Sequence, residues 1–295
     1  MGTALITGIG GFTGRYLAEE LVHRGYSVAG IGIRPRPENV PLDAYGQVDL
    51  LDVDATVSFV SEIHPDMVFH LAGISHVQSS PDAIYRINIT SGRNLIAALA
   101  KLETPPFFTM LASTANLYGN AGGILDESTP PDPRNDYAVS KLAVEYMAGI
   151  WRDQLPLTIV RPFNYTGCGQ PEAFLIPKLV KHFRERLPFI ELGNTNVTRE
   201  FGDVRDVAAI YARLAEAGAP WGPFNICSGV GYTLAQILDM LRELTGHHPE
   251  IRVNPSFVRP HEVDKLIGSP KKLEGCIGTI PCHGLKATLA WMLEK

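Results

Sequence analysis

The sequence predicts an α/β protein: a doubly wound parallel sheet with helices on both faces, followed by a smaller, discontinuous C-terminal lobe. Three observations carry this expectation. In the first half, β-branched apolar runs alternate with helical patterns. The runs are almost continuously apolar, as in Met67 to Leu71, so each strand needs cover on both sides. A glycine-rich stretch separates the first run from the first helical pattern, where α/β proteins of this kind bind phosphate.

The elements follow in order. A strand at Ala4 to Thr7 leads to a helix from about Gly11 to Arg24, a strand at Ser27 to Ile33, a helix near Ala55 to Ile63 and a strand at Met67 to Leu71. A long helix is expected from about Pro81 to Leu102, then a strand at Phe107 to Leu111, a helix from about Asp136 to Arg152 and a strand at Leu157 to Val160. The order βαβα keeps successive strands parallel. Beyond Arg161-Pro162 the pattern loosens until Thr233-Leu-Ala-Gln236, a capping box, opens a helix to about Leu244. The strand-like Pro223 to Ile226 is expected to return to the sheet. The division that follows is residues 1–165 with about 203–228 for the first domain, and about 166–202 with 229–295 for the lobe.

Composition narrows the function classes. With 26 basic and 31 acidic residues and no basic run, the chain lacks the electrostatic footprint of a nucleic-acid binder. No window supplies the roughly 20 apolar residues of a membrane helix, and the first strand signal begins almost at Met1, so a cytoplasmic protein is expected. The four cysteines make no disulfide framework, and Cys276, Cys282 and His283 match no zinc spacing, so no metal is expected.

The stretch Gly8-Ile9-Gly10-Gly11-Phe12-Thr13-Gly14 is read as a dinucleotide loop. Gly8 allows the tight turn, Gly11 lets backbone approach a pyrophosphate, and Gly14 lets helix and strand pack closely. That makes the sheet a Rossmann sheet. Asp49 and Leu50 suit the adenine, and Leu71-Ala72-Gly73 leaves room for the cofactor. No acid ends the second strand, where Arg34 and Arg36 stand instead, so NADP(H) is favoured over NAD(H), since a cation accepts a 2′-phosphate.

Tyr137 and Lys141, four residues apart, share one helical face, and a nearby ammonium is expected to lower the phenol's pKa. Ser113 and Thr114 follow a strand at the carboxyl edge of the sheet, where ligands of such folds bind, and Thr114 can donate to the oxygen that Tyr137 protonates.

On these residues, with Asn88, Tyr118-Gly119 and Arg161-Pro162-Phe163-Asn164, the whole chain resembles the extended short-chain dehydrogenase/reductase superfamily, the nucleotide-sugar epimerases, dehydratases and reductases. The resemblance implies Thr114, Tyr137 and Lys141 as catalytic residues. It places Asn88 and Ser113 with the cofactor, Pro162 and Phe163 beside the nicotinamide, and Asn164 at the substrate phosphates. Arg199, and the segment with Arg259 and Glu262, resemble the GDP-mannose branch, which puts the arginines near a diphosphate and Glu262 near a ribose. Ser75 and His76 resemble 4,6-dehydratases, but Asn116 stands where those of the GDP-mannose type carry Glu, and an amide exchanges no proton at neutral pH. The similarity is greatest to GDP-4-keto-6-deoxy-mannose reductases. A nucleotide-sugar 4-epimerase or 4,6-dehydratase of the same superfamily and a non-catalytic dinucleotide sensor are the alternatives. Family members pair as homodimers through the helices from about Pro81 and Asp136, and Leu95, Leu99, Leu142, Val144, Met147 and Ile150 exceed what one sheet face obviously needs.

Overall fold

A computed structural model of the chain describes residues 2–75, 80–194, 197–257 and 264–295. β1 (Thr3–Thr7), α1 (Phe12–His23), β2 (Ser27–Gly32), β3 (Ala44–Gln47), α2 (Val53–Ile63) and β4 (Met67–His70) form the first half of the sheet with its helices. Next come α3 (Pro81–Tyr85), α4 (Ser91–Leu99), β5 (Phe108–Ala112), α5 (Asp136–Gly149) and β6 (Leu157–Pro162). A π-turn, Arg86–Thr90, joins α3 to α4, so the long helix expected from Pro81 is broken once and ends at Leu99. Tyr45 and its neighbours add β3 at the edge of the sheet, just before Asp49 and Leu50.

Seven strands form one parallel sheet in the order β11, β6, β5, β4, β1, β2, β3, where β11 is Pro223–Ile226. The order reverses beside β1, and at that crevice the carboxyl ends of β1 and β4 lie open to a ligand. Apolar side chains cover both faces. On one, Leu17 and Leu21 of α1 pack with Ile210 and Leu214 of α7 (Val204–Glu216); on the other, Val60, Leu95, Leu99 and Val144 come from α2, α4 and α5. Leu95, Leu99 and Val144 are therefore core residues and are not spare surface for a partner. Each fully buried Leu or Val contributes about 1.5–3 kcal/mol.

The remaining elements build the lobe. Short strands β7 (Tyr165–Thr166) and β10 (Gly202–Asp203) pair, and β9 (Thr198–Arg199) lies between β12 (Tyr232–Thr233) and β14 (Lys265–Leu266). β8 (Phe189–Leu192) pairs with β13 (Glu250–Val253). Helices α6 (Leu175–Arg184), α8 (Leu234–Thr245) and α10 (Leu285–Glu294) share a third apolar cluster, whereas α9 (Lys271–Ile277) packs on the sheet core beside α7. The expected capping box is present: Thr233 and Gln236 exchange side-chain and backbone hydrogen bonds at the start of α8. Arg205 binds the lobe down by clamping Asp203 and lying 3.8 Å over the Trp291 ring of α10.

Candidate active site

The glycine loop is shaped by backbone approach. Gly8 has φ +71°, and a Cβ there would come within 2.8 Å of the Ala72 nitrogen, so loop and β4 touch as only glycine allows. A Cβ at Gly14 would meet the Gly8 carbonyl and Ile9 at 2.8 Å, the close helix-strand contact that the spacing calls for. Gly10 faces open space, and Gly11, the N-cap of α1, provides no capping side chain. The first amides of α1 thus have no internal cap, which suits a pyrophosphate. Thr13 is buried and bonds Tyr165 at 2.7 Å, and the Phe12 ring stacks on Tyr165, so this loop is also fastened to the start of the lobe.

Asp49 and Leu50, expected at the adenine, follow β3. The Asp49 carboxylate accepts from Leu51, and the Leu50 carbonyl is held by Asn94 at 2.8 Å. Arg34 is exposed; Arg36 turns to the Leu42 carbonyl. Leu71, Ala72 and Gly73 leave β4, and Asn88 holds their continuation, its amide oxygen accepting from Ile74 at 2.7 Å and its nitrogen donating to Ser140 at 2.9 Å. Asn88 reaches this position from the π-turn between α3 and α4. Ser75 is exposed; His76, Arg259 and Glu262 lie outside the described residues.

Tyr137 stands in the first turn of α5, whose N-cap, Asn135, accepts from Ala138 at 2.9 Å. Three consecutive residues leaving β5 meet three residues spaced four apart on this helix. The Thr114 hydroxyl hydrogen-bonds the Tyr137 phenol. The Ala112 carbonyl accepts from Lys141 Nζ at 2.8 Å. The Ser113 hydroxyl donates to Glu145. The Ser113 hydroxyl proton is thus committed, as is its main-chain N–H, which donates to the Val160 carbonyl at 2.8 Å, and only acceptor capacity remains for a ligand. Asn116 sits in the 3₁₀ turn after Thr114, its main-chain N–H donating to the Thr114 hydroxyl oxygen at 3.2 Å.

The electrostatics differ from expectation. Burial pushes the Tyr137 phenol up to about 12, opposed by the Thr114 hydrogen bond, and pushes Lys141 down to about 8. No lowering of Tyr137 by Lys141 appears, because desolvation opposes charge on both groups and the ammonium is turned to Ala112.

Asn164 follows β6 and borders a cavity of about 540 Å³ with Glu200, Ser228 and Tyr232. Pro162 ends β6, but the Phe163 ring is buried with Leu117, Tyr118 and Leu266 beneath the Thr114 turn. Arg199 lies in β9 and donates to the Thr198 carbonyl. Among the described residues no three His, Cys, Asp or Glu side chains could hold a metal, and His283 bonds Asp206 at 2.6 Å.

Two features escaped the sequence reading. Glu200, almost fully buried, accepts from Ser228, Gly229 and Gly268 and so ties three loops of the lobe together. Behind Thr114, Tyr137 and Lys141, Glu145 accepts two bonds from Arg161 at 3.0 and 2.7 Å, and Arg161 donates at 2.9 Å to Tyr118, which donates to Asn225 at 2.7 Å. Removing one side of such a pair typically costs about 3–5 kcal/mol. The spacing Tyr137, Lys141, Glu145 marked the helical face; Asn225, more than 60 residues beyond Arg161, carried no local signal.

A family model described as the NAD dependent epimerase/dehydratase family matches residues 4–227. The chain belongs to this family. The GDP-6-deoxy-D-talose 4-dehydrogenase of Aggregatibacter actinomycetemcomitans is 33% identical over 93% of this chain and 90% of its own. The GDP-6-deoxy-D-mannose reductase of Pseudomonas aeruginosa is 29% identical over 98% and 95%. A candidate epimerase from Burkholderia cenocepacia J2315 superposes with TM-score 0.93 at 45% identity, covering 99% of this chain and 97% of its own. The RMD structure from P. aeruginosa, complexed with NADPH, gives TM-score 0.86 at 28% identity over 100% and 98%.

In this epimerase/dehydratase family member the loop, the β4 turn and the sheet edge fit a nicotinamide dinucleotide. When bound, its ring supplies or takes up hydride. Thr114, Tyr137 and Lys141 stand together at that edge of the sheet.

Proposed function

We propose that this chain reduces the 4-keto group of a GDP-4-keto-6-deoxyhexose to a GDP-6-deoxyhexose of the GDP-rhamnose type, with NADPH as donor. Tyr137 gives its proton to the C4 oxygen, Thr114 polarises that oxygen, and Lys141 orients the cofactor ribose. The observation that carries the reading is Asn116. The position two residues beyond Thr114 holds a carboxamide, so nothing there can take the C5 proton that elimination of water requires. The names of the talose dehydrogenase and mannose reductase relatives support a GDP-linked substrate, and a 4-dehydrogenase and a 4-reductase act on the same C–O bond in opposite directions.

NADPH is supported by the exposed Arg34, by the absence of an acid after β2, and by the NADPH-bound relative. Residues 1–165 with about 203–228 are read as the dinucleotide domain, supported by the return of β11 to the sheet, and the rest as the lobe that receives the sugar nucleotide. Asn164 and Arg199 would contact the diphosphate there. We read the protein as cytoplasmic; among the described residues no helix is long and apolar enough to cross a membrane. A 4-epimerase is the second reading, favoured by the similarity to the Burkholderia candidate epimerase.

The test is NADPH consumption with GDP-4-keto-6-deoxy-mannose, followed by NMR of the product. Reduction with net release of NADP⁺, lost at least a hundredfold in Tyr137→Phe, is the expected result. Interconversion of C4 epimers without net cofactor oxidation would establish the epimerase instead. Binding without turnover on any keto sugar would leave only a sensor.

A further inference from the structure

Lys141 and Glu145 lie one helical turn apart, an arrangement that on an open helix joins the two in an ion pair. Here they do not pair. Lys141 donates to the Ala112 carbonyl, and Glu145 is taken by Ser113 on one oxygen and by the Arg161 fork on both. Arg161 is fixed in turn: its side chain is 6% exposed, it donates to Tyr118, and its guanidinium carbon lies 5.1 Å over the Tyr118 ring. The carboxylate beside the catalytic lysine is thus cancelled by a cation from a different strand, β6. Without that cation, Lys141 is the positive charge one helical turn from Glu145.

We propose that Arg161 is a positioning residue that neutralises Glu145 and holds it off Lys141, leaving the ammonium to the cofactor ribose and the phenol. The inference rests on the reading of Tyr137 and Lys141 as the catalytic pair. It assigns a function to a buried ion pair that touches neither ligand. Other groups around these helix residues are His70 from β4, Tyr165 from β7, and Asp136 at the start of α5. Around Arg161 they are Tyr118, Glu127 and Lys272. None of these is altered below, so they cancel in the comparison.

The experiment measures the pH dependence of kcat in the wild type, Glu145→Gln, Arg161→Gln and the double variant. Removing Arg161 leaves one net negative charge beside Lys141 and raises the midpoint for the phenol by about one unit; Glu145→Gln leaves one net positive charge and lowers it by a similar amount. The double variant returns to within about 0.3 unit of the wild type, a change of charge that cancels. A midpoint does not depend on the fraction of protein that folds, so loss of packing cannot mimic these shifts. If Arg161→Gln does not fold, the downward shift in Glu145→Gln decides. Coincident midpoints, or a double variant that keeps the shift, overturn the inference. Tyr137→Phe in the same assay separates the two failures: if it is inactive while the midpoints coincide, only the role of Arg161 falls, and if it turns over normally, the catalytic reading falls.

Discussion

A lysine buried to 6% exposure works against folding at neutral pH. Its proton-binding range is pushed down to about 8 from 10.5, so the charged form it needs for a ligand is disfavoured in the folded chain by about 3 kcal/mol. Between those two values the unfolded chain binds more protons, and the fold gains stability with rising pH. The bond to the Ala112 carbonyl recovers part of this. Lys141→Met is therefore expected to raise the Tm of the apoprotein by a few degrees while reducing turnover at least a hundredfold. A thermal melt beside the NADPH assay checks it, and a lower Tm would show that the hydrogen bond outweighs desolvation. The residue types of this site were legible in the sequence. Their side-chain commitments were not: Ser113 and Thr114 differ by one position, yet one hydroxyl goes to Glu145 and the other to Tyr137.

Helix α5 carries three kinds of surface. One edge carries Tyr137 and Lys141, a second buries Val144 and Ala148 against the sheet, and the third leaves Val139, Tyr146 and Ile150 in solvent, the last two at 72% and 74% exposure. Apolar side chains gathered on one open face mark an interaction surface. We propose that two chains pair there, α3 to α5 of each against the other. Tyr146→Asp with Ile150→Asp is expected to convert a dimer to a monomer in light scattering with little loss of Tm; a monomeric wild type would sink the claim. The apolar spacing foretold a helix with more than one contact face but did not separate core from open surface, because Leu95 and Leu99 repeat at the same interval. The π-turn was equally illegible. It inserts where Asn88 must reach the loop after β4, a tertiary demand with no local signature.

Across the whole molecule, the acid limit of stability should bear the mark of one histidine. His70 is fully enclosed under the cofactor crevice, bonded to Thr7 at 2.8 Å, and burial, with Lys141 nearby, pushes it down to about 3. The unfolded chain takes up this proton near pH 6.5, the folded chain does not, so stability falls with pH from about 6.5 toward 3. The plot of Tm against pH between about 6.5 and 5 should be flatter in His70→Asn than in the wild type; equal slopes would mean that the ring is not enclosed. The sheet was legible at this scale because both-sided burial writes itself into apolar runs. The lobe was less so, since its two-residue strands β7, β9, β10, β12 and β14 are held by pairing across long chain separations and not by their own pattern.

The position of β11 bears on how the chain is made. Pro223–Ile226 form the outermost strand beside β6, so until that segment has left the ribosome, the outer edge of Leu157–Pro162 has no neighbour. Exposed strand edges recruit other chains. Nascent or truncated forms ending before Pro223 should accordingly seek chaperones or precipitate, whereas trimming within α10 spares the sheet.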